Sequence, residues 1–194
     1  NTGLGAILPS SDADFEAELF HSLVDVGARE SVRERWGVQG AIVGLRLDGT
    51  VALGEGGGIV PAAGVAVSAW RAVHSLAVQW GLALDWEGDR AMGLHEELDV
   101  ALQFLLDARQ QVAMVVSRAG VRLSASVGHG ESLVSPSRRI WGTEVDRVRA
   151  LCSTWRGDEV ACTESAWERL TLPEGVGVFR APQGHELRTG VRFR

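Results

Sequence analysis

The chain has 194 residues, 45% of them apolar, which is enough for one domain to bury a core without disulfides or metals. Its formal net charge of −6 excludes a general affinity for the phosphate backbone of nucleic acid, leaving only a local arginine cluster to hold a small anion. All 19 basic residues are arginine, so no Schiff base, P-loop lysine or lysine general base exists here.

Ser11 to Asp14 opens a helix in a pattern close to a capping box. Phe15, Leu19, Leu23 and Val26 form an apolar stripe at helical spacing until Gly27 interrupts it. Ala28 to Trp36 reads as a second, highly charged helix that Gly37 ends. Residues 1–37 are therefore expected to be an N-terminal helical arm, which either packs on its own domain or reaches another subunit. Ala41 to Leu47 is a β-run broken at Asp48-Gly49, a strong turn signal. Gly54 to Gly58 reads as a glycine-rich loop feeding a helix with Pro61 near its start. Val65, Ala69, Val73, Leu76 and Trp80 are its expected inner face, and Gly81 its stop. The loop matches neither the P-loop nor Gly-x-Gly-x-x-Gly, so by itself it is a weak phosphate signal.

Leu82 to Glu87 and Arg90 to His95 flank Gly88-Asp89 as a tight hairpin. Glu97 to Val116 is a further helix, and Val121 to Val127 alternates as a half-buried strand. A loop from Gly128 to Trp141 holds Arg138 and Arg139. Thr143 is expected to cap a short helix ended by Gly157. Strands follow near Glu159 to Thr163 and Gly175 to Arg180, then a run from Gly184 to Arg194. Cys152 and Cys162 are too few for a disulfide framework and read as buried thiols. No uninterrupted apolar run reaches roughly 18 residues, and no leader pattern follows Asn1. The expectation is a cytoplasmic domain without membrane insertion.

This order implies an α+β fold: a mostly antiparallel sheet with helices packed on one face, spanning residues 38–194 as one domain. With its Gly-Asp hairpin, the order resembles the catalytic domain of class III adenylate and guanylate cyclases. The best local match is Ser126 to Glu131 (Ser-Val-Gly-His-Gly-Glu), where that family usually reads Gly-Ile-His-x-Gly-Glu. Trp141 to Leu151 follows, in place of the family's Phe-Gly-x-x-Val-Asn-x-Ala-Ala-Arg-Leu. The resemblance implies a cyclase-like sheet with a ferredoxin-like core and head-to-tail pairing. It also implies two aspartates holding a pair of Mg or Mn ions over a nucleoside triphosphate, one ion for the attacking hydroxyl and one for the departing pyrophosphate.

Carried over residue by residue, the resemblance departs at the chemistry. The hairpin aspartate is Asp89. The first aspartate falls on Leu45, which cannot ligate, and Asp48 stands three residues further on, next to Gly49. The transition-state asparagine and arginine fall on Asp146 and Ala150, with Arg147 and Arg149 as neighbouring cations. The base-reading lysine falls on Asp85 and its partner acid near Arg139, a pair inverted in charge. Candidate residues are therefore Asp146 and Arg149 for catalysis, Asp85, Arg139, Asp48 and Gly49 for the nucleotide, and Asp89 with Asp48 for metal.

Each has a plainer reading. Aspartate suits a Gly-Asp turn at 89, Asp146 completes a Thr-x-x-Asp cap, and Arg138-Arg139 suits a solvated loop. The histidines show no metal-ligand spacing. Ser126 and Ser137 lack a nucleophile elbow. The leading expectation is a catalytically inactive cyclase-like domain acting in dimerisation and signalling, with Trp86, Trp141 and Trp155 as interface anchors and a nucleoside triphosphate or cyclic nucleotide as ligand. The alternatives are an active, divergent cyclase on a pyrimidine triphosphate, and a partner-binding scaffold without a nucleotide site. Homodimer and heterodimer both stay open.

Overall fold

The computed structural model describes residues 11–116, 119–155, 159–172, 176–183 and 186–193. Gly157, Gly175, Gly184 and Arg194, which entered the expected boundaries above, lie outside the described residues. Helices α1 (Asp12–Val24) and α2 (Val26–Trp36) lead directly into β1 (Gly37–Asp48). Then come α3 (Thr50–Gly57), α4 (Ile59–Gln79), the hairpin β2 (Ala83–Glu87) and β3 (Arg90–His95), and α5 (Leu98–Val116). The chain continues through β4 (Arg122–Val134), β5 (Ile140–Trp141), α6 (Thr143–Thr154), β6 (Val160–Cys162) and α7 (Glu164–Trp167), and ends with β7 (Val176–Gln183) and β8 (Glu186–Phe193).

One sheet runs β2-β3-β1-β4-β6-β8-β7, with β5 hydrogen-bonded to β4. Every pairing is antiparallel except β4 with β6. Alternation along β1 separates two cores, because successive side chains take opposite faces. Ala41, Val43, Leu45 and Leu47 join Ala69, Val73 and Ala77 of α4 and the apolar stripe of α5 in the larger core. Ile42 points the other way and packs with Ile140, Val145 and Val148. Most helical packing is thus on one face, and α6 covers part of the other. It can lie close because Gly44 and Gly128 leave it room: a Cβ on Gly44 would stand 3.0 Å from a Val148 methyl.

The glycine-rich segment does not form the expected loop. It is the helix α3, capped by Gly49 at φ 92, and it packs on α4. Glycine lowers helix propensity by about 1 kcal/mol per residue, so only this tertiary packing makes the helix worthwhile. Helix α4 has the length and hydropathy of a membrane span, with 17% of that stretch buried: Ala62, Ala69, Val73 and Ala77 are sealed inside and most of the helix is exposed.

The arm folds back on the domain. Phe15, 1% exposed, packs edge-on to Trp36 and stacks on Trp141 at a centroid distance of 5.0 Å. Arg33 grips Glu131 of β4 with two bonds of 2.8 Å. The break in the arm falls at Asp25, whose side chain accepts the Gly27 N–H. The turn there leaves Leu23 and Val26 of the expected stripe exposed. Trp155, expected at an interface, is instead in the core at 4% exposure, and its indole N–H donates to the Glu159 carbonyl.

Candidate functional site

The sheet face beneath α6 gathers most of the polar residues singled out from sequence. Side chains at even-numbered positions of β1 point to it, Arg46 among them, whereas Leu45 borders a small cavity on this face but packs into the opposite core. Leu45 is 1% exposed and belongs to the opposite core. Arg46 is 6% exposed and is the one charged residue within the apolar β-run. One of its terminal nitrogens donates to the Ser153 carbonyl at the end of α6. The other lies 2.5 Å from Asp48 Oδ1, in an ionic contact rather than an aligned hydrogen bond. The second oxygen of Asp48 accepts the Ser124 hydroxyl. Arg46 Nε is buried without a hydrogen-bond partner among the described residues.

Asp89 sits at the hairpin tip after Gly88, which takes φ 63 as the turn requires. Its carbonyl accepts the Leu47 N–H at 2.9 Å, which brings the tip against the end of β1. Its carboxylate is 3.6 Å from Arg90 Nε. The fold thus gathers Asp48 and Asp89 at one end of the sheet, each already beside an arginine. Gly49 is held by backbone: a Cβ there would stand 2.7 Å from the Gly120 carbonyl oxygen.

Asp85, Glu87, Arg90 and Arg149 line a cavity of about 30 Å³ that Ile140, Met92 and Cys152 close. That is room for about one water. Arg139 is exposed and adjoins Ile140 in the β4–β5 loop. Asp146 is also exposed and pairs with Arg149 at 2.8 Å. It does not close a capping box, because the helix N-cap is Gly142 at φ 154 and no side chain caps it. Ser126 donates to the Val148 carbonyl at 2.9 Å, a structural bond that fastens α6.

Sequence reasoning missed Glu87, Arg90 and Arg46 in this face. The signal was present: Asp85 and Glu87 are two apart on a strand, and so are Arg46 and Asp48. It also missed Glu144, which is 6% exposed and accepts the hydroxyls of Thr163 and Ser165. Gly128 clears space for it, since a Cβ there would stand 2.8 Å from Glu144 Oε1. Burial pushes the Cys152 thiol up to about 11 and the Cys162 thiol up to about 12, so neither is a nucleophile at neutral pH. Burial also lowers the His129 pKa, with Arg169 adding to the effect.

Two divalent ions between a pair of shared carboxylates do not fit this donor set. Leu45 supplies no oxygen, and the Asp48 charge is matched by Arg46. No cluster of three or more His, Cys, Asp or Glu suited to a metal occurs among the described residues.

No protein-family model matches the chain, and no curated protein matches it in sequence. Solved structures do match. The guanylate cyclase domain of RhGC from Catenaria anguillulae, in complex with GTP, superposes with a TM-score of 0.67 at 12% identity, over 81% of this chain and 98% of that one. The adenylyl cyclase CyaB from P. aeruginosa gives 0.64 at 12%, over 80% and 93%. A non-canonical dimeric guanylyl cyclase domain of the RhoGC fusion protein from the aquatic fungus Blastocladiella emersonii gives 0.64 at 11%, over 80% and 97%. These are class III adenylyl and guanylyl cyclase catalytic domains, and this chain, with its mostly antiparallel sheet and the helices packed on it, has their fold.

Proposed function

We propose that the chain is a cyclase-like domain without cyclase activity, working by dimerisation in signalling. The observation that carries this reading is the Arg46–Asp48 pair. A guanidinium from the chain itself neutralises Asp48, the carboxylate at the end of β1. At position 150 an alanine leaves the transition-state charge without a guanidinium. Arg90 and Arg149 share the small cavity with Asp85 and Glu87, and Arg149 is already paired with Asp146. A nucleotide phosphate would have to displace these carboxylates and open the cavity to reach the two guanidinium groups. The Blastocladiella domain is found both as a non-canonical dimer and as a monomer, so pairing of copies is the part of this reading that rests on the resemblance alone.

The test is a thermal-shift series with ATP, GTP, CTP and UTP, each with and without manganese, with cyclic product assayed in parallel. The reading expects no cyclic product and any nucleotide shift to be the same without manganese. Cyclic product, or stabilisation that appears only with manganese, would overturn it in favour of an active, divergent cyclase. No shift with any nucleotide leaves a partner-binding scaffold.

A further inference from the structure

Strand β5 has two residues and joins the arm to the cleft. Successive side chains on a strand take opposite faces. Trp141, opposite Leu133 of β4, packs against the arm, while Ile140, opposite Val134, packs under α6 and lines the small cavity. Three contacts hold this segment from the arm side. Phe15 stacks on Trp141 with the ring planes 24° apart. Asp12 accepts the Ser137 N–H at 3.0 Å, and Arg33 takes both oxygens of Glu131. The arm is braced internally, since Glu18 of α1 accepts the indole N–H of Trp36 of α2 at 2.7 Å. Between these anchors the chain turns tightly, the Ser135 N–H donating to the Arg139 carbonyl at 3.0 Å. Arg138 within the turn takes φ 67, the only positive φ outside glycine among the described residues. That conformation strains an L residue, because its Cβ crowds a carbonyl oxygen. It persists only where the surroundings impose it, and here Asp12 of the arm grips the residue just before it.

We propose that the N-terminal arm is a latch on the cleft cavity: docked, it holds β5 and Ile140 in the cavity wall, and released, it lets the turn relax and Ile140 swing out. The cavity as it stands has room for about one water, so any larger ligand reaches Arg90 and Arg149 only after a wall has moved. Ile140 is the wall with the least to hold it. Its strand pairs with β4 alone among the described residues, and its one core side chain sits at the edge of the small cluster of Ile42, Val145 and Val148. Segments with few buried contacts and few backbone bonds are the ones that open without the rest of the domain. The latch governs access, and it operates whether or not the cleft takes a nucleotide, so it stands apart from the inactive-cyclase reading.

The two native thiols supply the test. Cys152 borders the cavity beside Ile140 and reports its opening, whereas Cys162 lies in the opposite core and reports unfolding of the whole domain. Both are labelled in the full chain with a disulfide reagent across low urea concentrations. Phe15→Ala is expected to speed Cys152 labelling at least about tenfold. The rate should depend little on urea, because a local opening exposes little surface, while Cys162 labelling in the same samples should depend on it steeply. Arg33→Glu leaves the aromatic contacts in place and sets two carboxylates together. It should speed Cys152 about threefold, and R33E/E131R, which restores the pair in reverse, should bring the rate back to that of the wild type. Unchanged Cys152 rates in F15A and R33E would overturn the proposal. So would a urea dependence of Cys152 as steep as that of Cys162, or a failure of R33E/E131R to restore the rate.

Discussion

Arg46 and Asp48 stand two residues apart on β1, both turned to the cleft face, with guanidinium and carboxylate 2.5 Å apart and side-chain exposures of 7% and 19%. Removing one partner of such a pair leaves an uncompensated buried charge, at a cost of about 3–5 kcal/mol. We expect Asp48→Asn to lose stability of about that size in urea unfolding. Replacing both with apolar residues of similar volume, as in R46M/D48L, should be close to neutral, because both desolvation penalties vanish together. A small loss for D48N would mean that solvent reaches the pair, and the argument that Asp48 is spent on Arg46 would weaken with it.

The register of β1 is the next thing to probe. A slip of one residue would send Leu45 to the cleft and Arg46 into the core. With the observed register, Leu45→Asp drives a carboxylate into the larger core and is expected to cost at least about 3 kcal/mol. The tempting repair of the missing aspartate would therefore unfold the chain rather than create a metal site. A stable L45D protein that gained manganese binding would show that the strand can slip.

How much of this was visible in the sequence depends on the range of the forces involved. The hairpin at Gly88-Asp89, the strand at Ala41 to Leu47 and the stripe of α5 follow from turn chemistry and periodicity, which are local. The helix α3 was not legible, because a run with Gly54, Gly56 and Gly57 has poor intrinsic propensity and is held by contact with α4. The cap at Thr143 was misread for a related reason. Gly142 takes φ 154 where the chain turns tightly against β4, and a Cβ there would stand 2.9 Å from the Glu131 carbonyl oxygen. At the site, Asp85, Asp89 and Asp48 were found one at a time by carrying over a resemblance. Arg46 went unnoticed because its importance lies in a partner that only strand alternation supplies.

The arm offers a pH-dependent readout. Asp12 accepts the Ser137 N–H at 3.0 Å, and hydrogen bonding from Ser137 holds its carboxyl below the ordinary value of 3.8. A carboxylate with a lowered folded pKa contributes stability that is complete above its unfolded pKa and is lost as pH falls through the folded one. Docking of α1 should therefore be constant from pH 7 to about pH 5 and loosen only below about pH 4. Amide exchange at Ser137 reports it, and Asp12→Asn should remove the Asp12 component. Phe15→Ala, which empties the contact between Trp36 and Trp141, should undock the arm at all pH values at a cost of about 3 kcal/mol. Loosening that began near pH 6 would point to another group.

The two thiols report on how firmly α6 seals the cleft. With a pKa of about 11, Cys152 is thiolate to roughly one part in a thousand at pH 8, and Cys162 at about 12 to roughly a tenth of that. Both should therefore label slowly with a disulfide reagent in the folded chain and quickly in urea. Their order is informative, because Cys152 borders the small cavity while Cys162 lies under the β-sheet pairing. Cys152 is expected to react first and to speed up in Gly128→Ala, where the new methyl presses on Val148 and Glu144 and lifts the helix. If Gly128→Ala left the Cys152 rate unchanged while lowering stability, the strain would be absorbed in β4, and α6 would not be the movable wall of the cleft.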